Sequence, residues 1–308
     1  MKTKLLVEQH FHGCFGVDFN KAEVEDVLEL AKKIFQYGIG GIFPTIVTDT
    51  IENTRRAIDV IKAAAEIQTS DMAKILGVHL EGIFLNPEKK GIHNIKHFLA
   101  PAIENYKLIE DDFIKIVTLA PELDRDFELS KYLLSQGVKV QAGHCTGGDL
   151  FCCTGVTHLY NAMSGVVHRG KSTALSALID DNLYAEVIAD GVHVSDDALK
   201  LLFKSKPLDK ILLVSDSLPI TKSDKKEMIF ADEKVYYDGV KATSAEGTIA
   251  GSTTLLPEII KRLYKSELLF SIEEFEQLIE NPYHYHNIDI NGSIEWDDDF
   301  NILEVKKS

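Results

Sequence analysis

The chain contains no apolar run long enough to span a bilayer, and its opening residues, MKTKLLVEQHF, lack both the sustained apolar stretch and the small-residue cleavage site of a signal peptide. A cytoplasmic location is therefore expected, with no membrane partner. Cysteine is scarce: Cys14, Cys145, Cys152 and Cys153 form no CxxC pair, so free thiols in a reducing compartment are expected. Low-complexity tracts are absent. Basic residues are in deficit, 33 Lys and Arg against 48 Asp and Glu, for a net charge of −15. That balance argues against a nucleic-acid or anionic-membrane surface. It also means that an anionic small molecule must be held by local cations against the global field.

What remains is a chain of 308 residues, 45% hydrophobic and 26% charged, enough for one large α/β domain with a full core. Apolar β-forming runs predict strands at 5–12, 42–47, 75–80, 114–119, 138–142, 156–160, 184–189 and 211–214. Helical spacing predicts helices at 22–37, 54–67, 102–109, 127–136 and 173–179, one opening at Ser195, and two more at 254–264 and 272–279. Residues 220–250 read as a polar, partly β excursion, with KVYYDGVKA as a hairpin turning at DG, and 288–308 as a C-terminal tail. Eight strands alternating with helices over 1–308 is the pattern of a single (β/α)₈ TIM-barrel domain. A doubly wound open sheet would more often carry GxGxxG after its first strand, and HFHGCFG is not that motif.

The chemical residues collect at strand ends. Glu81 closes the run before GIFLNPEKKGIH, His144 ends VKVQAGH, His158 lies in GVTHLYNAM, and Asp216 lies in LLVSDS. In a barrel all these ends open on one face. Glu81, His144 and His158 can then form a three-ligand site with an open position, the pattern of a catalytic Zn²⁺. Any one of these histidines alone is better explained as a strand cap, but three converging on one mouth favour a metal. His10 and His12 alternate on the first strand, so both rings share a face and can reach a second ion bridged by Glu81. His79 shares the Glu81 face but lies deeper, as a hydrogen-bonded core histidine. Asp216 beside a metal-activated water can accept its proton and pass it to a leaving amine, although alone it reads as a turn aspartate. His93 can donate to a carbonyl oxygen as charge develops there, or be an ordinary loop histidine, as His97 is expected to be. Arg169 in VVHRGKS and His193 in IADGVHVSD suit a phosphate, or are plain surface charge. Cys145 and the Cys152–Cys153 pair read as packing residues rather than ligands.

The blocks HFHGCFGVDF, GVHLEGIFLNPEKKGIHN, TLAPE, GHCTGG, THLYNAM, IADGVHV, LLVSDS and EGTIAGS occur in one order across most of residues 8–256. Together they resemble the N-acetylglucosamine-6-phosphate deacetylases of the amidohydrolase superfamily. The resemblance implies that Glu81, His144 and His158 are the main metal ligands and that His10 and His12 fall on the HxH of a second metal. It implies that Asp216 is the catalytic aspartate and that His93 polarises the acetyl carbonyl. Asn161 and Ala162 fall on the substrate-contacting pair, and Arg169 and His193 on the residues that hold the sugar phosphate. Implied cofactors are one or two divalent ions, Zn²⁺ first, with Fe²⁺, Mn²⁺ or Co²⁺ as alternatives. A homodimer and an amino-sugar phosphate substrate are also implied. The chain departs from the family pattern in three places. The usual small β-sandwich is expected to be reduced or absent, the connection between strands five and six is short enough to be a mere turn, and GKS replaces the acidic-Pro sequence after His168–Arg169. Rival readings are hydrolysis of another N-acyl amino sugar or a cyclic amide, a non-catalytic sugar-phosphate-binding barrel, and a metal-free isomerase.

Overall fold

A computed structural model describes residues 1–307 apart from 267, 269 and 270. Eight parallel staves stand side by side in sequence order: β1 (Leu6–Phe11), β2 (Ile39–Val47), β3 (Val78–Glu81), β4 (Ile114–Leu119), β5 (Lys139–Ala142), β6 (Gly155–Val156), β7 (Tyr184–Val187) and β8 (Ile211–Leu213). A two-residue piece, Lys74–Ile75, pairs with β2 just before β3, because Gly77 breaks the predicted strand 75–80 in two. Staves such as β2, IGGIFPTIV, are buried along their whole length, which is why they read as near-continuous apolar runs rather than alternating ones. The edges β1 and β8 are stitched together beyond the strand ends. Asp216 N donates to His10 O at 2.8 Å, His12 N to Ser217 O at 2.8 Å, and Ser215 N to the Glu8 carboxylate at 3.1 Å.

The helices follow the predicted faces. α1 (Val24–Phe35) buries Val27, Leu30, Ala31 and Ile34, and α2 (Ile51–Ile67) buries Ala57, Ile58, Ile61 and Ala64. The helix predicted at 102–109 is only α3 (Ile103–Tyr106); one turn of apolar residues is too little to extend it. α4 (Glu128–Ser135) and α5 (Thr173–Ile179) lie where expected. Ser195 caps α6 (Asp196–Ser205), its hydroxyl accepting from Ala198 N. No helix occupies 143–154, so the β5–β6 connection is a turn as expected, and β6 itself is two residues rather than the predicted five. The excursion is a four-stranded antiparallel sheet, β9 (Glu227–Phe230), β10 (Glu233–Tyr237), β11 (Ala242–Ser244) and β12 (Ile249–Gly251). It docks through Val47, Ile92, Leu218, Phe230 and Val235, a small cluster of its own.

α7 (Leu256–Lys265) precedes α8 (Ile272–His286), which runs seven residues beyond the predicted end despite Pro282. α8 crosses the N-terminal end of the staves: Asn281 Nδ2 donates to Leu208 O and Ile211 O at 2.7 Å each, and Tyr283 Oη to Leu5 O at 2.7 Å. The tail is not unpartnered. β13 (Ser293–Trp296) pairs with β14 (Ile302–Lys306) and, on its other side, with Lys2–Thr3 at the start of the chain.

Candidate metal-centred active site

Register sets the height of the site. Ala142 pairs with Val156, so His144 and His158, each two residues further along, reach the same level. Val47, Glu81 and Thr118 lie abreast on β2, β3 and β4. Gly82 then turns the chain with φ +104°, and a Cβ there would lie 1.9 Å from Thr48 Oγ1, so only glycine fits behind the carboxylate. His144, His158 and Asp216 adopt φ of 49°, 34° and 50°. Left-handed backbone at a non-glycine residue costs about 1–3 kcal/mol and clusters where function demands it. Here it swings three side chains off their staves toward one point.

That point is Glu81, which is 3% exposed. Its Oε1 lies 2.9 Å from His158 Nε2, 3.2 Å from His144 Nε2 and 3.4 Å from His10 Nε2, and its Oε2 lies 3.1 Å from His12 Nε2 and 3.5 Å from His93 Nε2. Asp216 Oδ1 is 3.2 Å from His12 Nε2 and 3.5 Å from His10 Nε2. The opposite ring nitrogens of His144, His12 and His10 are tied outward, whereas His158 Nδ1 is buried without a partner. His144 Nδ1 donates to Lys89 O at 2.8 Å, His12 Nδ1 to Thr45 O at 3.3 Å, and His10 Nδ1 to Glu186 Oε2 at 2.9 Å. A histidine whose Nδ1 proton is held by an oxygen presents the Nε2 lone pair.

These residues fit a divalent cation. His144 Nε2 and His158 Nε2 face each other at 3.1 Å, a contact that two lone pairs tolerate only with a proton or cation between or beside them. His10 Nε2 is buried without a hydrogen-bond partner. Burial alone would raise the Glu81 carboxyl, but the charge of His10, with the hydrogen bonds of His12 and His144, holds it well below the usual range. Asp216 is likewise held down, against burial, first by His10 and then by His12. Burial opposes protonation of His12, but Asp216 and Glu81 override it and lift the ring to about 9. Burial, reinforced by the charge of His144, pushes His93 down to about 4, so it is neutral at pH 7.

The cluster forms the floor of a cavity of about 410 Å³. Asn161, Ala162, His193 and His93 line it, as do Lys89 and Lys90, Phe230, and residues 248–251 of the excursion. The sequence pointed to the first four. The others were missed, although the glycine-rich GTIAGS and the paired lysines were visible signals. Arg169 is exposed and is not among the residues that line the cavity of its own chain. Its loop, 164–171, lies at the surface and exposes Val166 and Val167 as well as His168 and Lys171. His93, for which an exposed loop position was the alternative, lies in the loop before Ile95–His97 but is buried and bonds Thr48 Oγ1 at 2.8 Å. His79 is the deeper core histidine expected, bonded to Gln9 O and Thr118 Oγ1. His97 pairs with Asp232 at 3.2 Å. All four cysteines are free, and none joins the cluster.

No family model matches the chain. Over 266 residues it is 31% identical to the N-acetylglucosamine-6-phosphate deacetylase of Bacillus subtilis, an alignment spanning 82% of this chain and 67% of the relative. The chain belongs to the N-acetylglucosamine-6-phosphate deacetylase family. The deacetylase fold extends across it: the Thermotoga maritima deacetylase structure superposes with a TM-score of 0.91 at 25% identity, covering 99% of this chain and 87% of that one. A relative from Shewanella, 29% identical over 80% of this chain, is named an N-acetylgalactosamine-6-phosphate deacetylase. The chain spans 64% of that relative's length, so a third of it has no counterpart in the alignment.

Proposed function

We propose that the protein hydrolyses the acetamide of N-acetylglucosamine 6-phosphate to glucosamine 6-phosphate and acetate. The observation that carries this reading is the convergence on Glu81 of the Nε2 atoms of His10, His12, His144 and His158, three of them with Nδ1 tied outward, at the floor of a cavity large enough for a sugar phosphate. Glu81, His144 and His158 would hold one divalent ion, Zn²⁺ first among the candidates, and His10 and His12 a second beside Asp216. When bound, such an ion supplies Lewis acidity and lowers the pKa of water.

The chain's own groups do the rest. Asp216, ionised and buried, accepts the proton that the attacking water gives up and returns it to the departing nitrogen. The Thr48 hydroxyl can donate a hydrogen bond to His93 Nδ1, so the neutral His93 ring turns its Nε2 proton toward the cavity. There it hydrogen-bonds the carbonyl oxygen as that atom gains charge. Asn161 and Ala162 orient the sugar. His193, Lys89 and Lys90 meet the phosphate, and they are the cationic side chains that supply local charge against the net −15. Arg169, exposed on its loop, is available to the cavity of a second copy, consistent with a homodimer.

Acetate release from the phosphorylated and unphosphorylated sugars tests the reading. Asp216→Asn should lose about 10²–10⁴-fold in turnover while keeping the ion at Glu81, His144 and His158. Full activity in that variant would refute the role of Asp216, and equal rates on both sugars would refute the phosphate. The galacto epimer belongs in the same assay, because the Shewanella relative carries that name.

A further inference from the structure

Beneath the cavity a line of polar side chains, His286, Gln9 and Glu186, leads up to His10. His286 Nε2, in the last turn of α8, is 2.8 Å from Gln9 Oε1. Gln9 Nε2 is 2.5 Å from Glu186 Oε1, and His10 Nδ1 is 2.9 Å from Glu186 Oε2. Glu186, Gln9 and His10 are each 0% exposed. A carboxylate so deep on a stave is costly unless its hydrogen bonds are specific.

The polarity of each link is determined. A carboxylate only accepts and an amide nitrogen only donates, so Gln9 must turn its NH₂ to Glu186 and its carbonyl to His286. Burial pushes His286 down to about 3, so that ring is neutral and gives its single proton to Gln9. At the other end Glu186 accepts a hydrogen bond from His10 Nδ1. His10 Nε2 is left facing Glu81 and Asp216 at 3.4 and 3.5 Å, with no partner of its own. His79, the other imidazole near Glu186, has both nitrogens engaged, by Gln9 O and Thr118 Oγ1, and cannot serve as a ligand in that arrangement.

We propose that Glu186, braced by Gln9 and His286, is the positioning residue that fixes the tautomer and tilt of His10 and so makes the His10–His12 half of the cluster a cation site in its own right. This rests on the metal-centre reading above. Through it the C-terminal helix is coupled to the site from the far side of the barrel.

Chelator-competition titration with Zn²⁺, read by metal content per chain, separates the possibilities. The wild type should show two binding events. Glu186→Gln should weaken by about 10–100-fold the event that His10→Asn abolishes, and leave unchanged the event that His144→Asn abolishes. Wild-type affinity for both ions in Glu186→Gln, or equal loss of both, overturns the assignment. Should that variant fail to fold, the zinc-loaded wild type labelled with ¹⁵N-histidine decides: His10 should carry its proton on Nδ1, and a proton on Nε2 overturns the proposal. A wild type that takes up no divalent ion sinks the metal centre as a whole, whereas normal uptake with an unaffected variant sinks the role of Glu186 alone.

Discussion

His193 sits in the cavity wall with its Nδ1 2.8 Å from Asp190 Oδ2. Burial favours the neutral ring, but the hydrogen bond and charge of Asp190, with a further contribution from Asp216, raise its pKa above the ordinary 6.5. A raised imidazole pKa keeps the positive charge present to higher pH and loses it as pH climbs through the folded value. Asp190→Asn removes the main support, so the loss should move to lower pH. The Michaelis constant for the phosphorylated sugar should rise several-fold between pH 6 and 8 in the variant and stay flatter in the wild type. Parallel pH profiles would show that His193 does not carry the phosphate. Asp190 itself was not foreseen, because IADGVHV reads as a turn before a helix cap. Glu186 was missed for a different reason. A carboxylate in the middle of YAEV interrupts no pattern that a strand-end search inspects, whereas Glu81 and His144 stand where an apolar run stops.

At the scale of elements, what was legible followed burial on both faces. β4 and α5 lie at the expected residues because IKIVTL and TALSALI leave little room for any other reading. β6 was overextended, since THLY is apolar enough to continue a strand. Its positive-φ residues His158 and Tyr160 instead turn it into the site. The excursion was legible as β structure, but its docking was not. Docking depends on Phe230, which is 1% exposed and whose ring meets that of His12 edge-on with centroids 5.1 Å apart. Phe230→Ala removes the largest side chain of the small cluster, a change that costs about 3–5 kcal/mol in a packed core. Because β9–β12 bury little against the barrel besides that cluster, the cost should appear locally. Amides of 227–251 should exchange markedly faster while β1–β5 stay protected, and the Michaelis constant should rise as the cavity wall loosens. Uniformly faster exchange throughout the barrel would mean that the excursion is part of one cooperative core.

Across the whole molecule the cluster joins segments that lie far apart in the chain, with His10 and Asp216 at opposite ends of the barrel sequence and Glu81, His144 and His158 between them. Metal-free, that junction is held by protons: His12 is raised to about 9 by Asp216 and Glu81, and His10 well above its usual value by Glu81, Glu186 and Asp216. Raised folded-state pKa values give stability that is fully present below about 6.5 and is lost as pH rises toward 9. A divalent ion takes the place of those protons, so its affinity strengthens over the same window and its binding releases them. The melting temperature of chelator-treated protein should therefore fall from pH 6.5 to 8.5, while that of zinc-loaded protein holds, and the gap between them should widen. Calorimetry in two buffers of different ionisation enthalpy should report at least one proton released per ion near neutral pH. A gap that stays constant or narrows with rising pH would mean that the imidazoles are neutral without metal, and that Glu81 is held by something other than their charge.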